Sequence, residues 1–327
     1  MYKSLISLSL LLTLLTVVLS AYIRLAEVGI GCEDWPDCYA QLNVETEKKG
    51  ISVLTEAGRD MGHYGARIAH RYIASALGLF VVAIFIMALR LGTARATGLA
   101  VPTAIFAVTV FLSALGYYTP TRSNPLITMG NLAGGMTLLG LLWWLMQREA
   151  PSADPAIPSS ASHYRPWALV ALCLVLMQVL LGGWSSANYA SANCPDLLQC
   201  RGDVWAVASF GDAFNPFRTI ALDDAGQVLR SESLGVLSMA HRLFAIFTAA
   251  YLAWMVRKLK PETQLSATVL ALSAFSIGQI VVGVTMIWFQ LPLLLVTLHN
   301  TLAAGLLLCS INLLHRLTPP TVLPPPD

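Results

Sequence analysis

Three histidines within long apolar stretches are the residues of this sequence best suited to carry chemistry. His70, His241 and His299 each lie a few residues after the start of a stretch of nearly uncharged residues. At a rise of about 1.5 Å per residue, we expect the three imidazoles to lie at one depth of their helices. A lone histidine in such a place is usually a core residue, whereas three at one depth favour a functional role.

Facing imidazoles on neighbouring helices of a bundle suit the axial ligation of a haem iron. His241 and His299 form a complete pair of this kind in the second half of the chain. In the first half, the position that matches His299 is Gly130, or Asn131 if the alignment is shifted, and neither residue is an iron ligand. The pair that would include His70 is therefore incomplete.

Other polar residues of the same helices could support such a site. Arg71 and Arg242 directly follow two of the histidines, and they would either bind haem propionates or extend to the outer lipid headgroups. Both interpretations stay open. Arg67 lies one turn before His70 on the same helix face. His63 lies two turns before His70 and could supply a second ligand only if that segment is helical.

Four of the six cysteines form two pairs with the same spacing. Cys32 and Cys38, like Cys194 and Cys200, have five residues between them and lie in segments that we place outside the membrane. In an oxidising compartment, close pairs persist as disulfides. Such a disulfide would either staple its loop or, if it is strained and exposed, exchange electrons. Zinc binding is disfavoured, because each pair supplies only two ligands.

The elements that position these residues are membrane-spanning helices. Of the 327 residues, 56% are hydrophobic and 12% are charged, and the mean hydropathy is +0.65. This composition excludes a disordered chain, and a net charge of +2 without a basic run excludes a nucleic-acid binder. Apolar stretches long enough to cross about 30 Å of hydrocarbon predict eight helices. We place them at 4–23, 68–89, 98–118, 125–146, 166–186, 235–256, 265–288 and 292–314.

Basic residues in the short loops orient these helices. By the positive-inside rule, the side that carries them is cytoplasmic, so both termini lie in the cytoplasm and segments 24–67 and 187–234 lie outside. We expect a multi-pass protein of the bacterial inner membrane, surrounded by lipid. The first helix could be a cleaved signal peptide, but its apolar core is long for one, and we predict that it is retained. The basic residues are Lys3, Arg90, Arg95, Arg148, Arg165, Arg257, Lys258, Lys260 and Arg316.

The chain consists of two similar halves. A cysteine pair, an Ala-His-Arg sequence and a similar segment of the last span follow in the same order in each half, which indicates a duplicated four-helix unit. An even number of spans gives both copies the same orientation. We therefore predict an all-α fold of two pseudo-symmetric four-helix bundles. The bundles cover 1–147 and 166–317, with a cytoplasmic linker at 148–165 and a proline-rich tail at 318–327.

Several segments, spread over essentially the whole chain, resemble the heme A synthase family of cytochrome oxidase assembly proteins. The resemblance implies a membrane oxidoreductase that converts heme O into heme A by oxidising the C8 methyl group to a formyl group. It also implies heme O synthase and oxidase assembly factors as partners, and a homo-oligomer is compatible with it. The segments are RLAEVGIGCEDWPDC at 24–38, HRYIA at 70–74, LGYYT at 115–119 and VTLHN at 296–300.

The resemblance also implies roles for individual residues. A haem b would be held between His241 and His299 in the second half, and heme O would bind beside His70 in the first half. Both cysteine pairs would be disulfides outside the membrane, and the bond between Cys32 and Cys38 would take part in the activity.

Two positions depart from the residues that are usual in this family. Arg67 stands where relatives carry a glutamate, three residues before the first histidine. Gly130 and Asn131 stand where relatives carry a second histidine of the first half, in the fourth span. An arginine reverses the electrostatic effect of a carboxylate on a developing cation nearby. The catalytic candidates are His70, Arg67, Cys32 and Cys38.

Two other functions are alternatives to heme A synthesis, and the sequence disfavours the second. A non-catalytic relative would keep the haem b site and act in electron transfer or haem handling during oxidase assembly. A transporter of two parallel four-helix repeats would have broken, Gly/Pro-interrupted spans at matching positions, and this sequence lacks them.

Overall fold

The computed structural model describes residues 1–27, 61–91, 98–118, 124–149, 159–201, 205, 207–221, 228–229 and 231–318. Within these residues, eight helices are long and apolar enough to cross a membrane, with mean hydropathies of 1.4 to 2.5. This confirms the prediction of an all-helical, multi-pass membrane protein. The helices are α1 (Tyr2–Glu27), α2 (Met61–Leu91), α3 (Ala100–Tyr118), α4 (Pro125–Glu149), α5 (Arg165–Ala187), α6 (Glu232–Leu259), α7 (Ser266–Trp288) and α8 (Leu293–Arg316).

Helix α2 differs most from its predicted bounds. It begins at Met61, seven residues before the predicted start at 68. Hydropathy detects only the part of a helix that lies in hydrocarbon, whereas backbone hydrogen bonding continues through the polar residues before it. As a result, His70 and His241 each lie nine residues after the first residue of their helix.

The helices pack in two rings of contacts. In the first half, α1 and α3 each contact both α2 and α4, and in the second half α5 and α7 each contact both α6 and α8. Contacts between the halves join α1 to α8, and α4 to both α5 and α8. The pseudo-symmetry of two separate bundles stays a prediction.

Buried aliphatic side chains hold these helices together. One cluster contains residues of α1, α2, α3 and α4, among them Ile6, Ile84 and Leu142. A larger cluster contains residues of α4, α5, α6, α7 and α8, among them Met255 and Leu307. Between helices in lipid, stability comes mainly from close packing rather than from the removal of apolar surface from water. Helix α1 contributes fully buried residues to this core, and it contacts α2, α4 and α8.

The segment between α5 and α6 packs over α6. A short helical turn (Ala190–Asn193) and a seven-residue helix (Val207–Ala213) both contact α6, and the Trp184 indole donates a hydrogen bond to the Ala213 carbonyl at 2.9 Å. The predicted linker is partly structured as well, since Ser159–Tyr164 forms a 3-10 helix that contacts α5. The first outside loop, with Cys32 and Cys38, and the tail from residue 319 lie outside the described residues.

Candidate functional site

His241 projects from α6 onto the surface of α5 at a glycine. A β-carbon added to Gly182 would lie 2.7 Å from Cε1, 3.2 Å from Nδ1 and 3.3 Å from Nε2 of the imidazole. A side chain at this position would therefore displace the ring. The absence of a side chain at Gly182 makes room for His241 between the two helices.

His299 has the same relation to a glycine of α7. A β-carbon added to Gly283 would lie 3.2 Å from Cε1 and 3.5 Å from Nδ1 of the imidazole. The Nδ1 atom is buried, and within the described part of the chain it has no hydrogen-bond partner. His241 and His299 thus each pack against a glycine of the preceding helix, and their pairing as ligands stays a prediction.

A glutamine one turn before each glycine binds the neighbouring histidine. The Gln178 Nε2 atom lies 3.0 Å from Nδ1 of His241 and donates a hydrogen bond to the His241 carbonyl at 3.1 Å. The Gln279 Nε2 atom donates to the His299 carbonyl at 2.9 Å. Both helices thus carry a glutamine and, four residues later, a glycine that contact the same histidine.

Sequence reasoning missed these four residues, although the sequence contains a signal for them. The segments QVLLG at 178–182 and QIVVG at 279–283 repeat one pattern in two apolar spans. A carboxamide within a span is costly unless it is hydrogen-bonded, so a repeated glutamine there is a candidate for function. The histidines lie on α6 and α8, and the glutamine–glycine pairs lie on α5 and α7, which alternate with them around the ring.

Arg242 binds the disulfide loop. Its Nη1 atom donates to the carbonyls of Asp196 and, at 2.8 Å, Leu197, while Nη2 donates to the Cys194 carbonyl at 2.9 Å. Cys194 and Cys200 form a disulfide, as predicted, with their Cα atoms 4.0 Å apart. The sequence suggested that Arg242 binds either a haem propionate or lipid headgroups. Neither interpretation predicts contacts with the protein's own loop. The arginine next to His241 holds the outside loop against α6.

The first half presents a more open arrangement around its histidine. His70 is half-buried on α2, while Arg67 and Arg71 are exposed. Because α2 begins at Met61, the backbone of His63 is helical, which was the condition for its role as a second ligand.

The position that matches His299 is filled differently in the first half. A β-carbon added to Gly130 of α4 would lie 2.8 Å from Cδ1 of Leu115 on α3. In the second half, a histidine of α8 packs over a glycine of α7; in the first half, a leucine of α3 packs over a glycine of α4. The large residue lies on the last helix of its half in the second half and on the third helix in the first half, and Gly130 has a leucine rather than an imidazole against it.

A cleft of about 470 Å³ opens between α2 and α3. It begins at Ala74, one turn after His70, and small residues such as Ser75 and Gly78 line it on α2. Thr109 and Ser113 are among the residues that line it on α3. The cleft is open rather than enclosed, so a ligand in it would be covered by the protein on only part of its surface.

Two imidazoles in this arrangement can bind a metal as axial ligands. His241 on α6 and His299 on α8 are the residues that would hold a haem, because imidazole is a common ligand type for haem iron. The residues present fit such a group, because a ligating histidine binds metal through one nitrogen and an outer partner through the other. The buried Nδ1 of His299, which has no hydrogen-bond partner among the described residues, is a polar atom that calls for one, whereas Gln178 places its amide nitrogen, a donor, beside Nδ1 of His241.

Comparison with known proteins gives matches over nearly the whole chain. The sequence profile of the family described as cytochrome oxidase assembly protein matches residues 3–311. A curated relative, heme A synthase of Shewanella oneidensis (strain MR-1), is 34% identical over 314 residues, which cover 94% of this chain and 94% of the relative.

Proposed function

This chain belongs to the family of cytochrome oxidase assembly proteins, and we propose that it is a heme A synthase that oxidises heme O to heme A. The observation that carries the proposal is the similarity to a heme A synthase over 94% of both chains. The paired histidines of the second half add a site that suits a haem. The reaction converts the C8 methyl group of heme O into a formyl group.

In this proposal the second half holds a haem b between His241 and His299. A haem held there would supply one-electron redox chemistry for the substrate half. The chain itself contributes glycines that make room for the rings, glutamines that fix the histidine backbones, and the loop held by Arg242, which covers the outside end.

The first half takes heme O as its substrate, with His70 as the residue that orients it. Heme O carries a long isoprenoid side chain, and the cleft between α2 and α3 offers it space one turn from His70. Arg67 and the Cys32–Cys38 pair stay catalytic candidates. At Gly130 the first half has an aliphatic contact with Leu115, so this position would offer no second imidazole to a bound haem.

The proposed location is the bacterial inner membrane, with both termini in the cytoplasm. Arg90, Arg148, Arg257 and Arg316 lie in the last turns of the even-numbered helices, so they mark one side of the membrane. The histidines then lie towards the opposite, outer side. Heme O synthase and oxidase assembly factors are the proposed partners, and a homo-oligomer stays open.

Haem analysis in a suitable host tests this function. The wild-type protein, His70→Ala and His241→Ala are expressed in cells that make heme O but lack a synthase of their own, and extracted haems are separated chromatographically. We expect the wild type to produce heme A and both variants to lose it. Accumulation of unmodified heme O with the wild type, while the purified protein still carries haem b, would instead identify a non-catalytic haem protein.

A further inference from the structure

We propose that the helix ends around Arg148, Arg165 and Arg316 form a binding site for the phosphate group of an anionic phospholipid. Basic residues on one side of a membrane protein orient it, but orientation does not require them to lie together. The site lies at the opposite end of the helices from His241 and His299, and it does not depend on the proposed heme A synthesis.

Three packed helices bring these arginines together. Arg148 lies in the last turn of α4, Arg165 is the first residue of α5, and Arg316 is the last residue of α8. Each of the three helices contacts the other two. Because α4 and α8 end on the side where α5 begins, the arginines surround one junction of three helix ends.

Two side-chain contacts show that these ends meet. Trp144 of α4 packs edge-on against His315 of α8, with the ring centroids 5.3 Å apart. The Arg165 Nε atom donates a hydrogen bond to the Thr318 hydroxyl, just beyond α8, at 3.4 Å. His315 and Thr318 lie one residue before and two residues after Arg316. The end of α8 therefore contacts both α4 and the start of α5.

The arginines have the donors that a phosphate needs. A guanidinium carries five N–H groups in a planar fork that matches phosphate oxygens. The contact of Arg165 with Thr318 uses Nε, so its Nη groups can donate to an anion. The Arg316 Nη2 atom donates to the Gln264 carbonyl at 3.0 Å, which restricts this side chain. Arg165 is exposed, while Arg148 and Arg316 are half-buried, so an arriving headgroup meets Arg165 first.

The charge on this side of the protein favours an anion. Among the described residues there, the acidic side chains are Glu149 and Glu262, and the basic ones outnumber them. An anionic headgroup is attracted by this excess, whereas a zwitterionic headgroup also brings a cation that the arginines repel. The basic residues are Lys3, Arg90, Arg148, Arg165, Arg257, Lys258, Lys260 and Arg316.

Aromatic and apolar neighbours favour a lipid over a free phosphate ion. Trp167, two residues after Arg165, packs edge-on against Trp254 of α6, with the ring centroids 5.3 Å apart. Tyr251 donates its hydroxyl to the Trp167 carbonyl at 2.9 Å. Tryptophan and tyrosine concentrate at the depth of the headgroups. Exposed apolar residues such as Val170 follow along α5, so the acyl chains of a lipid held at Arg165 can lie against this helix.

The test measures phosphatidylglycerol binding to the purified full-length protein by native mass spectrometry. Phosphatidylcholine is the zwitterionic comparison, and inorganic phosphate is added as a competitor. The junction variant combines Arg148→Gln, Arg165→Gln and Arg316→Gln. The matched control combines Arg257→Gln, Lys258→Gln and Lys260→Gln, which removes the same charge on the same side, but from the end of α6.

We expect the wild type to prefer phosphatidylglycerol over phosphatidylcholine. Each arginine near the headgroup should strengthen binding about fivefold, so the junction variant should bind about 100-fold more weakly. The control should bind with close to wild-type affinity. Replacement of the same three arginines by lysine keeps the charge but removes the planar fork, so its affinity should lie between the two. This variant also reports on the site if the glutamine variant fails to fold.

Three outcomes would overturn the proposal. Equal losses in the junction variant and the control would mean that the lipid responds to the overall surface charge and not to this junction. Equal binding of the two lipids by the wild type would exclude recognition of an anionic headgroup. Displacement of phosphatidylglycerol by excess inorganic phosphate would identify a site for free phosphate instead of a phospholipid.

Discussion

Each half of this protein packs a large side chain against a glycine of the neighbouring helix, but the large residue lies on a different helix in each half. In the second half the large residue is His299, which packs over Gly283. In the first half it is Leu115, which packs over Gly130. Each half therefore has a close contact between a large side chain and a glycine, and only the second half supplies an imidazole for it.

The outside ends of the halves differ as well. Arg242 donates three hydrogen bonds to backbone carbonyls of its disulfide loop, whereas Arg71, at the matching position, is exposed. A loop fixed over one site suits a cofactor that stays bound. We expect the first half, with its open cleft at α2 and α3, to exchange its ligand.

Removal of either imidazole of the second half gives the largest expected effect. His241→Ala and His299→Ala should each abolish stable haem b binding, because one axial ligand cannot replace the other. The measurement is haem b per purified chain. His315→Ala is the control, because His315 packs edge-on against Trp144 at 5.3 Å, at the opposite end of α8. Full haem content in both single variants would contradict the ligand pair.

Filling the glycine positions comes next. Gly182→Leu places carbon where the His241 ring lies, so we expect about a 10- to 100-fold loss of haem affinity. Titration of the haem-free protein with haem measures it. Gly116→Leu is the matched control, because a β-carbon there meets no atom within 4 Å. Equal affinities in the two variants would show that the space at Gly182 is unimportant.

An exchange of residues in the first half tests the comparison directly. The double variant Leu115→Gly with Gly130→His reproduces the large-over-small arrangement of the second half. We expect a second axial ligand for a haem bound at His70, with a low-spin spectrum and about tenfold slower release of that haem. Stopped-flow transfer of haem to an acceptor protein measures the rate. Leu115→Gly alone, which adds space without a ligand, should keep the wild-type spectrum.

Closing the cleft should have a smaller, selective effect. Gly78 lines the cleft, and a β-carbon added there meets no atom within 4 Å, so Gly78→Leu fills space without a clash in the protein. We expect a several-fold higher KM for heme O with unchanged haem b content. Gly65→Leu is the control, since its added carbon is equally unobstructed and the residue does not line the cleft. An unchanged KM would place the isoprenoid chain elsewhere.

Release of the second outside loop has the smallest expected effect. Arg242→Ala removes hydrogen bonds from a charged donor, which lowers the free energy of opening the loop by about 2 kcal/mol. Hydrogen exchange of the backbone amides at 194–201 measures this change. Arg71→Ala should leave that exchange unchanged. Faster exchange in the control variant would mean that the effect is not specific to the contacts of Arg242.

Much of the fold follows from the sequence. The eight spans and the Cys194–Cys200 disulfide are confirmed, while the pairing of His241 with His299 as ligands stays a prediction. The start of α2 was predicted too late, because hydropathy ends where the hydrocarbon ends. The partners of Arg242 were also missed, since a side chain that binds backbone carbonyls of a loop leaves no pattern of residue types.

Residue types and their spacing determine which segments enter the membrane and which carry imidazoles or thiols, because apolarity and ligand chemistry belong to individual residues. Tertiary structure alone decides which helix faces which, and at what rotation. It brings the Gln178 carboxamide to His241, and it fills the space beside Gly130 with Leu115 rather than with a ligand. These contacts join residues far apart in the chain, and small rotations of either helix would remove them.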